Sequence, residues 1–193
     1  MNYLAHLFLA GNEPEIILGN FIADHVKGSD VLKYSEKVQS GIMMHRAIDT
    51  YTDQHDIVRQ SIARLRTDFR KYAGVVVDMY YDHFLSLHWQ EYSATDIHIF
   101  TTTRYEILNG FSEILPARSS RLLFFMEKQN WLLSYASFDG MQQAFNGMSR
   151  RTTFVSNMEQ AVENLKADYD AFESEFRQFF PELQEFVNNN YKV

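Results

Sequence analysis

The chain has 193 residues, 46% hydrophobic and 15% aromatic, enough for one domain with a sizeable core and too apolar for disorder. Cysteine is absent, which excludes disulfides and thiolate metal sites. The formal charge of −7 disfavours a general nucleic-acid role. Three Pro and eight Gly favour long helices over a turn-rich β fold.

The opening "MNYLAHLFLAGNEPE" lacks the basic start of a signal peptide. No apolar run approaches the roughly 20 residues that span a bilayer. With no cysteine to oxidise, the expected location is the cytoplasm.

In chain order, residues 3–10 read as a short apolar helix containing His6. Pro14 opens a second, "PEIILGNFIADHVKG", which Gly28 ends. Ser29 or Asp30 caps a long helix over about 31–52. His55-Asp56 starts another, with Asp56 as its cap, and Gly74 closes it. "VVVDMYYDHFLSLHWQEY" is apolar nearly all round and too long for a strand, so it predicts a buried helix. Ser93 caps a helix reaching Asn109-Gly110, and Pro116 breaks the chain. "SRLLFFMEKQNWLLSYA" gives one bent helix or two, and Ser137 and Asp139 precede "GMQQAFNGM". The last long helix runs from about Phe154 to Phe180, where Pro181 bends it into a tail. No strand alternation, repeat or linker stands out. The expectation is an all-α, single compact domain over 1–193 with about seven to nine helices.

Several polar side chains sit among apolar ones. Asp78 and Asp82 share a face of the buried helix, with His83 adjacent. A buried carboxylate needs a partner. Arg or Tyr on neighbouring helices would serve, and so would a metal ion. His45 and Asp49 repeat the pattern four residues apart in "GIMMHRAIDTYTDQHD", and Asp53 continues the stripe towards the helix end. His6 is a lone polar residue in "YLAHLFLA". Asp24 can pair with Asn20, four residues earlier. Taken singly, His6 and His45 read as core histidines. Together, four helical segments offer His or Asp to one place, which suits an N/O-ligated Mn, Fe, Mg or Zn, with oxygen-rich ligation tilting to Mn or Mg. His55-Asp56 reads as structural. His25, next to Asp24, is a candidate proton donor.

"MNYLAHLFLA", "GNFIADHVKG", "GIMMHRAIDTYTD", "DMYYDHFLSLHW" and "FNGMSRR" together resemble the bacterial acyl carrier protein phosphodiesterases. The resemblance covers most of the chain. It implies a helical fold related to the HD phosphohydrolases and a divalent metal, manganese preferred. It also implies hydrolysis of the phosphodiester between a carrier-protein serine and 4′-phosphopantetheine. Carried onto this sequence, the motifs point to His6, Asp24, His45, Asp49, Asp78, Asp82 and His83. The dipeptide Asp82-His83 reverses the usual His-Asp order, which leaves the ligand subset open.

The expected chemistry is metal-assisted hydrolysis. Asp24 and Asp82 are its candidate catalytic carboxylates, and Arg46 is the first candidate for steadying phosphoryl charge. The expected partner is holo acyl carrier protein, an acidic protein that needs a basic docking face. Arg66 and Arg70 in "RQSIARLRTDFRK" and Arg150-Arg151 in "SRRT" are candidates, although a solvated helix face explains the first pair equally well. Two other readings fit the same residues: an HD-type nucleotide or phosphoester hydrolase, and a non-catalytic helical interaction domain.

Overall fold

The computed structural model describes residues 1–191. Its regular elements are all helical. They are α1 (Tyr3–Leu9), α2 (Pro14–Ile22), α3 (Glu36–Gln54), α4 (Asp56–Phe69), α5 (Ala73–Leu87), a short α6 (Trp89–Tyr92), α7 (Ile97–Asn109), α8 (Ala117–Lys128), a short α9 (Trp131–Ser134), α10 (Phe138–Ser149), α11 (Ala161–Ala167) and α12 (Tyr169–Tyr191). 3₁₀ turns lie at Ala23–His25, Gly28–Lys33, Arg70–Tyr72 and Met158–Gln160. The all-α expectation holds. The helices outnumber it, because one-turn pieces flank two of them and the last predicted helix is split.

The buried helix predicted around Asp78 is α5. Val76, Val77, Tyr80, Tyr81, Phe84 and Leu85 are all enclosed. α12 lays Phe172, Phe176, Phe179 and Phe180 against this core. Tyr80 meets Phe172 and Tyr81 meets Phe176 edge to face, at 5.0 and 5.7 Å between centroids. Such pairs add about 1 kcal/mol each beyond the area they bury.

Several boundaries differ from expectation. Pro181 lies inside α12 and does not end it. A mid-helix proline costs about 3 kcal/mol. Burial of Leu183 and Val187 beyond it offsets that, at about 1.5–3 kcal/mol for each such side chain. The break comes earlier, at Asp168 between α11 and α12, and the helix expected from Phe154 begins only at Met158. Gly74 lies within α5, and the chain turns at Arg70, whose φ is +51°. Asp96 caps α7 in place of Ser93, accepting from His98 N at 2.8 Å. His55 holds the cap position of α4 and Asp56 is its first residue, with no side-chain cap bond. His55 Nε2 instead meets Glu182 Oε2 at 3.1 Å.

Two arrangements fix the helices that carry the interior histidines. The first is the clamp on α1. A helix of seven residues is not stable alone. At its N-terminus the buried Asp82 carboxylate accepts from Leu4 N at 2.7 Å and from Asn2 N and Ala5 N at 3.3 Å each. At its C-terminus the buried Arg104 donates to Leu7 O at 3.2 Å and Gly11 O at 2.7 Å. Both charges oppose the helix dipole at the end they meet, which is the stabilising sense. The second is the contact of α2 with α3. A Cβ on Gly19 would strike the Val38 carbonyl, and one on Gly41 the Ile16 carbonyl. Glycine at both positions lets the two backbones touch, and this sets Asn20 against His45.

Candidate metal centre and cavity

His6 comes from α1, Asn20 from α2, and His45 and Asp49 from successive turns of α3. The two imidazoles stack, with centroids 3.9 Å apart and planes 18° from parallel. Asn20 Oδ1 lies 3.1 Å from His6 Nδ1 and 3.2 Å from His45 Nδ1. An amide oxygen only accepts, so it holds a proton on both Nδ1 atoms. Both Nε2 atoms then turn bare lone pairs to carboxylates. His6 Nε2 is 3.0 Å from Asp49 Oδ1. His45 Nε2 is 3.2 Å from Asp49 Oδ2 and 3.4 Å from Asp24 Oδ1.

Lone pairs facing carboxylate oxygens repel unless a positive charge lies between. Two observations fit a metal ion there. His6, His45 and Asp49 each offer a ligand atom, all within 4.8 Å of one another. His45 Nε2 is buried and makes no hydrogen bond of acceptable geometry. Without an ion, a proton takes that place. Burial opposes charge on His45, but Asp24 and Asp49 outweigh it and raise the imidazolium to about 9. Burial and the neighbouring His45 push His6 down to about 4. Burial alone would raise Asp49, yet both histidines pull it well below the carboxylate range. Contact with His45 also lowers Asp24.

The group lies at one end of a cavity of about 1080 Å³. α8 and α10 form the far walls. Arg118 and Arg121 of α8 and Arg151 after α10 line it, whereas Arg66, Arg70 and Arg150 do not. Sequence reasoning missed the α8 arginines. The available signal was an arginine in the first turn of a helix, where cations are disfavoured, and a second on the same face with Leu122 and Phe125.

The other expected residues are placed differently. Asp82 is engaged with the backbone of α1 and does not line the cavity; burial pushes its carboxyl up to about 7 against the N–H groups that favour the anion. His83 commits both ring nitrogens to structure, Nδ1 to Tyr135 O at 2.7 Å and Nε2 to the Tyr169 hydroxyl at 3.0 Å. Asp78 Oδ1 meets the Met1 amino group at 2.9 Å and faces the cavity. Asp53 also faces it, from the last turn of α3. Arg46 points away and donates to Val26 O at 2.9 Å. Asn20, expected beside Asp24, serves the histidines because α2 stops at Ile22 and the next turn swings Asp24 off its face.

Helices enclosing a histidine–carboxylate group under a deep cavity define the class as all-α proteins with a candidate catalytic metal site. The chain belongs to the acyl carrier protein phosphodiesterase family, which it matches over residues 1–183. It is 36% identical over 137 residues to the acyl carrier protein phosphodiesterase of Photorhabdus laumondii, covering 70% of this chain and 69% of that protein. Identity is 36% over 137 residues to that of Serratia proteamaculans, covering 70% and 71%. It is 34% over 143 residues to that of Escherichia coli O45:K1, covering 74% of each. No solved structure matches the chain. No helix among the described residues is long and apolar enough to cross a membrane.

Proposed function

We propose that this chain hydrolyses the phosphodiester joining 4′-phosphopantetheine to the serine of holo acyl carrier protein, giving the apo carrier and free 4′-phosphopantetheine. Family membership gives the reaction class. The observation that carries the site is the pair of Nε2 atoms turned to Asp49 with Asn20 behind both rings.

The proposed ligands are His6, His45 and Asp49, with Asp24 beside them. Manganese is the proposed ion. Such an ion, when bound, supplies Lewis-acid charge and lowers the pKa of a bound water. The chain's own groups do the rest. Asn20 holds the Nδ1 side of both rings, which leaves Nε2 as the atom each ring turns to the ion. Asp82 and Arg104 hold α1, and so His6, in register. Asp78 and Asp53 add negative charge that favours a cation at this end of the cavity. Arg151 offsets phosphate charge that the acids would otherwise repel.

The test is release of 4′-phosphopantetheine from holo carrier protein, with and without manganese, for wild type and Asp49→Asn. Metal-dependent release that is lost in the folded variant supports both reaction and site. No release with any divalent metal, and no metal retained, overturns the reading.

A further inference from the structure

The cavity is far larger than a metal site needs, and its walls differ in character from its acidic end. On α8, Arg118, Arg121, Leu122 and Phe125 all face the lumen. Their spacing of three, four and seven makes one stripe, distinct from the core stripe of Ser119, Leu123 and Met126. On α10, Gly140, Gln143, Ala144, Gly147 and Met148 face it at the same helical spacing. One wall is therefore basic and then apolar, and on the other Gly140, Ala144 and Gly147 leave room between the longer Gln143 and Met148.

The channel has a direction. His25 Nδ1 lies 2.8 Å from Ser119 Oγ, which pins the first turn of α8 to the turn carrying Asp24. At the other end, Gly140 is pressed on the Ser134 carbonyl, so α10 starts against α9. Arg151, beyond the C-terminus of α10 and so at the end away from α9, lines the cavity and donates to Gly147 O at 3.0 Å. The arginines thus cluster near the metal-binding residues, and the apolar and small residues lead away towards α9.

Arg118 and Arg121 make no hydrogen bond or ion pair among the described residues. Arg118 also sits in the first turn of α8, where the helix dipole opposes it. A phosphate there would satisfy both the arginines and the dipole.

We propose that the cleft between α8 and α10 is the subsite for the 4′-phosphopantetheine arm, with Arg118 and Arg121 beside its phosphate and the chain running between Leu122–Phe125 and Gly140–Ala144–Gly147 towards α9. This rests on the phosphodiesterase reading. An extended, uncharged chain suits walls that are apolar on one side and flat on the other. Gln143, whose amide makes no hydrogen bond among the described residues, can meet amide groups of the arm.

Gly147 gives a direct test. It is helical with ordinary φ, and a Cβ there meets nothing within 4 Å. Gly147→Leu therefore puts bulk into the channel without backbone strain, and its Tm is expected at or above wild type. Binding of 4′-phosphopantetheine and of pantetheine, which lacks the phosphate, is measured by calorimetry on the full chain with manganese, beside KM for holo carrier protein. Gly147→Leu is expected to weaken both ligands and raise KM by about tenfold or more, the scale of a blocked pocket wall. Arg121→Ala is expected to weaken 4′-phosphopantetheine about tenfold and leave pantetheine unchanged, as loss of one charge-assisted contact does. A folded Gly147→Leu with wild-type Kd and KM overturns the subsite while the phosphodiesterase reading stands. A wild type that releases nothing from holo carrier overturns both.

Discussion

α1 and α8 are both short helices meeting strong charges, and the charges behave in opposite ways. Those at α1 come from neighbours and are saturated. Asp82 is fully buried and accepts from three N–H groups. Arg104 is 5% exposed and reaches Leu7 O, Gly11 O and Asn12 Oδ1. Those on α8 are its own, lie open to the cavity and bond to nothing among the described residues. Unused bonding capacity inside a cavity, more than residue type, separates the α8 arginines from the charges that build the fold at α1.

Asp82→Ala tests this contrast most severely. It strands three backbone N–H groups at the start of α1. Each stranded buried donor costs about 1–3 kcal/mol, so with partial rescue by water the loss is expected near 3–5 kcal/mol in urea denaturation. Metal retention should fall with it, because His6 rides on α1. If Asp82→Ala matched wild type in stability and lost only the metal, Asp82 would belong with the ligands and the contrast would collapse.

Asn20 comes next. With its oxygen towards both histidines, Asn20→Asp keeps the acceptor and Asn20→Ala removes it. Manganese affinity should survive the first change and drop about 10–100-fold in the second, the usual cost of losing a group that orients ligands. The opposite amide orientation would donate to both Nδ1 atoms and complete a metal-free network with Asp49. In that case Asn20→Asp would disrupt the pair as badly as alanine. Manganese titrations of the two variants decide between them.

The same geometry sets a pH dependence. Metal binding needs the His45 Nε2 lone pair, which carries a proton below about 9 in the metal-free protein. Affinity should therefore rise about tenfold per pH unit between pH 6.5 and 8.5. The metal-free fold behaves inversely. His45 is raised above its ordinary 6.5, so the stability it contributes is complete below 6.5 and is lost as pH rises through about 9. A manganese affinity independent of pH would place the ion elsewhere.

Much of the molecule was legible in the sequence, for reasons that also mark the limit. The helices could be read because long apolar stripes recur at helical spacing, and α5 because it is apolar all round. His6, His45 and Asp49 stood out as polar groups in apolar runs. Asp82 stood out in the same way, and nothing local distinguishes it from them. Its partner is the backbone of α1, 78 residues away at Leu4, and only the tertiary contact shows that it caps a helix. The pairing of Asn20 with Asp24 failed for a local reason, since it assumed a helix that continues past Ile22. Arg118 and Arg121 share a face with Leu122 and Phe125, a weak signal that a solvated helix face explains as well until α10 is placed opposite them.

The smallest expected effect concerns those arginines. Arg118→Ala and Arg121→Ala remove no bond within the described residues, so stability should stay within about 0.5 kcal/mol of wild type. KM for holo carrier protein should nevertheless rise, with kcat little changed by Arg121→Ala, and the rise should shrink at high salt, where exposed charges are screened. The pairing of unchanged stability with raised KM is the inverse of Asp82→Ala, where lost function follows lost stability. If Arg121→Ala lowered stability by as much as a buried cap does, that arginine would have a structural partner after all, and the division between α1 and α8 would fail.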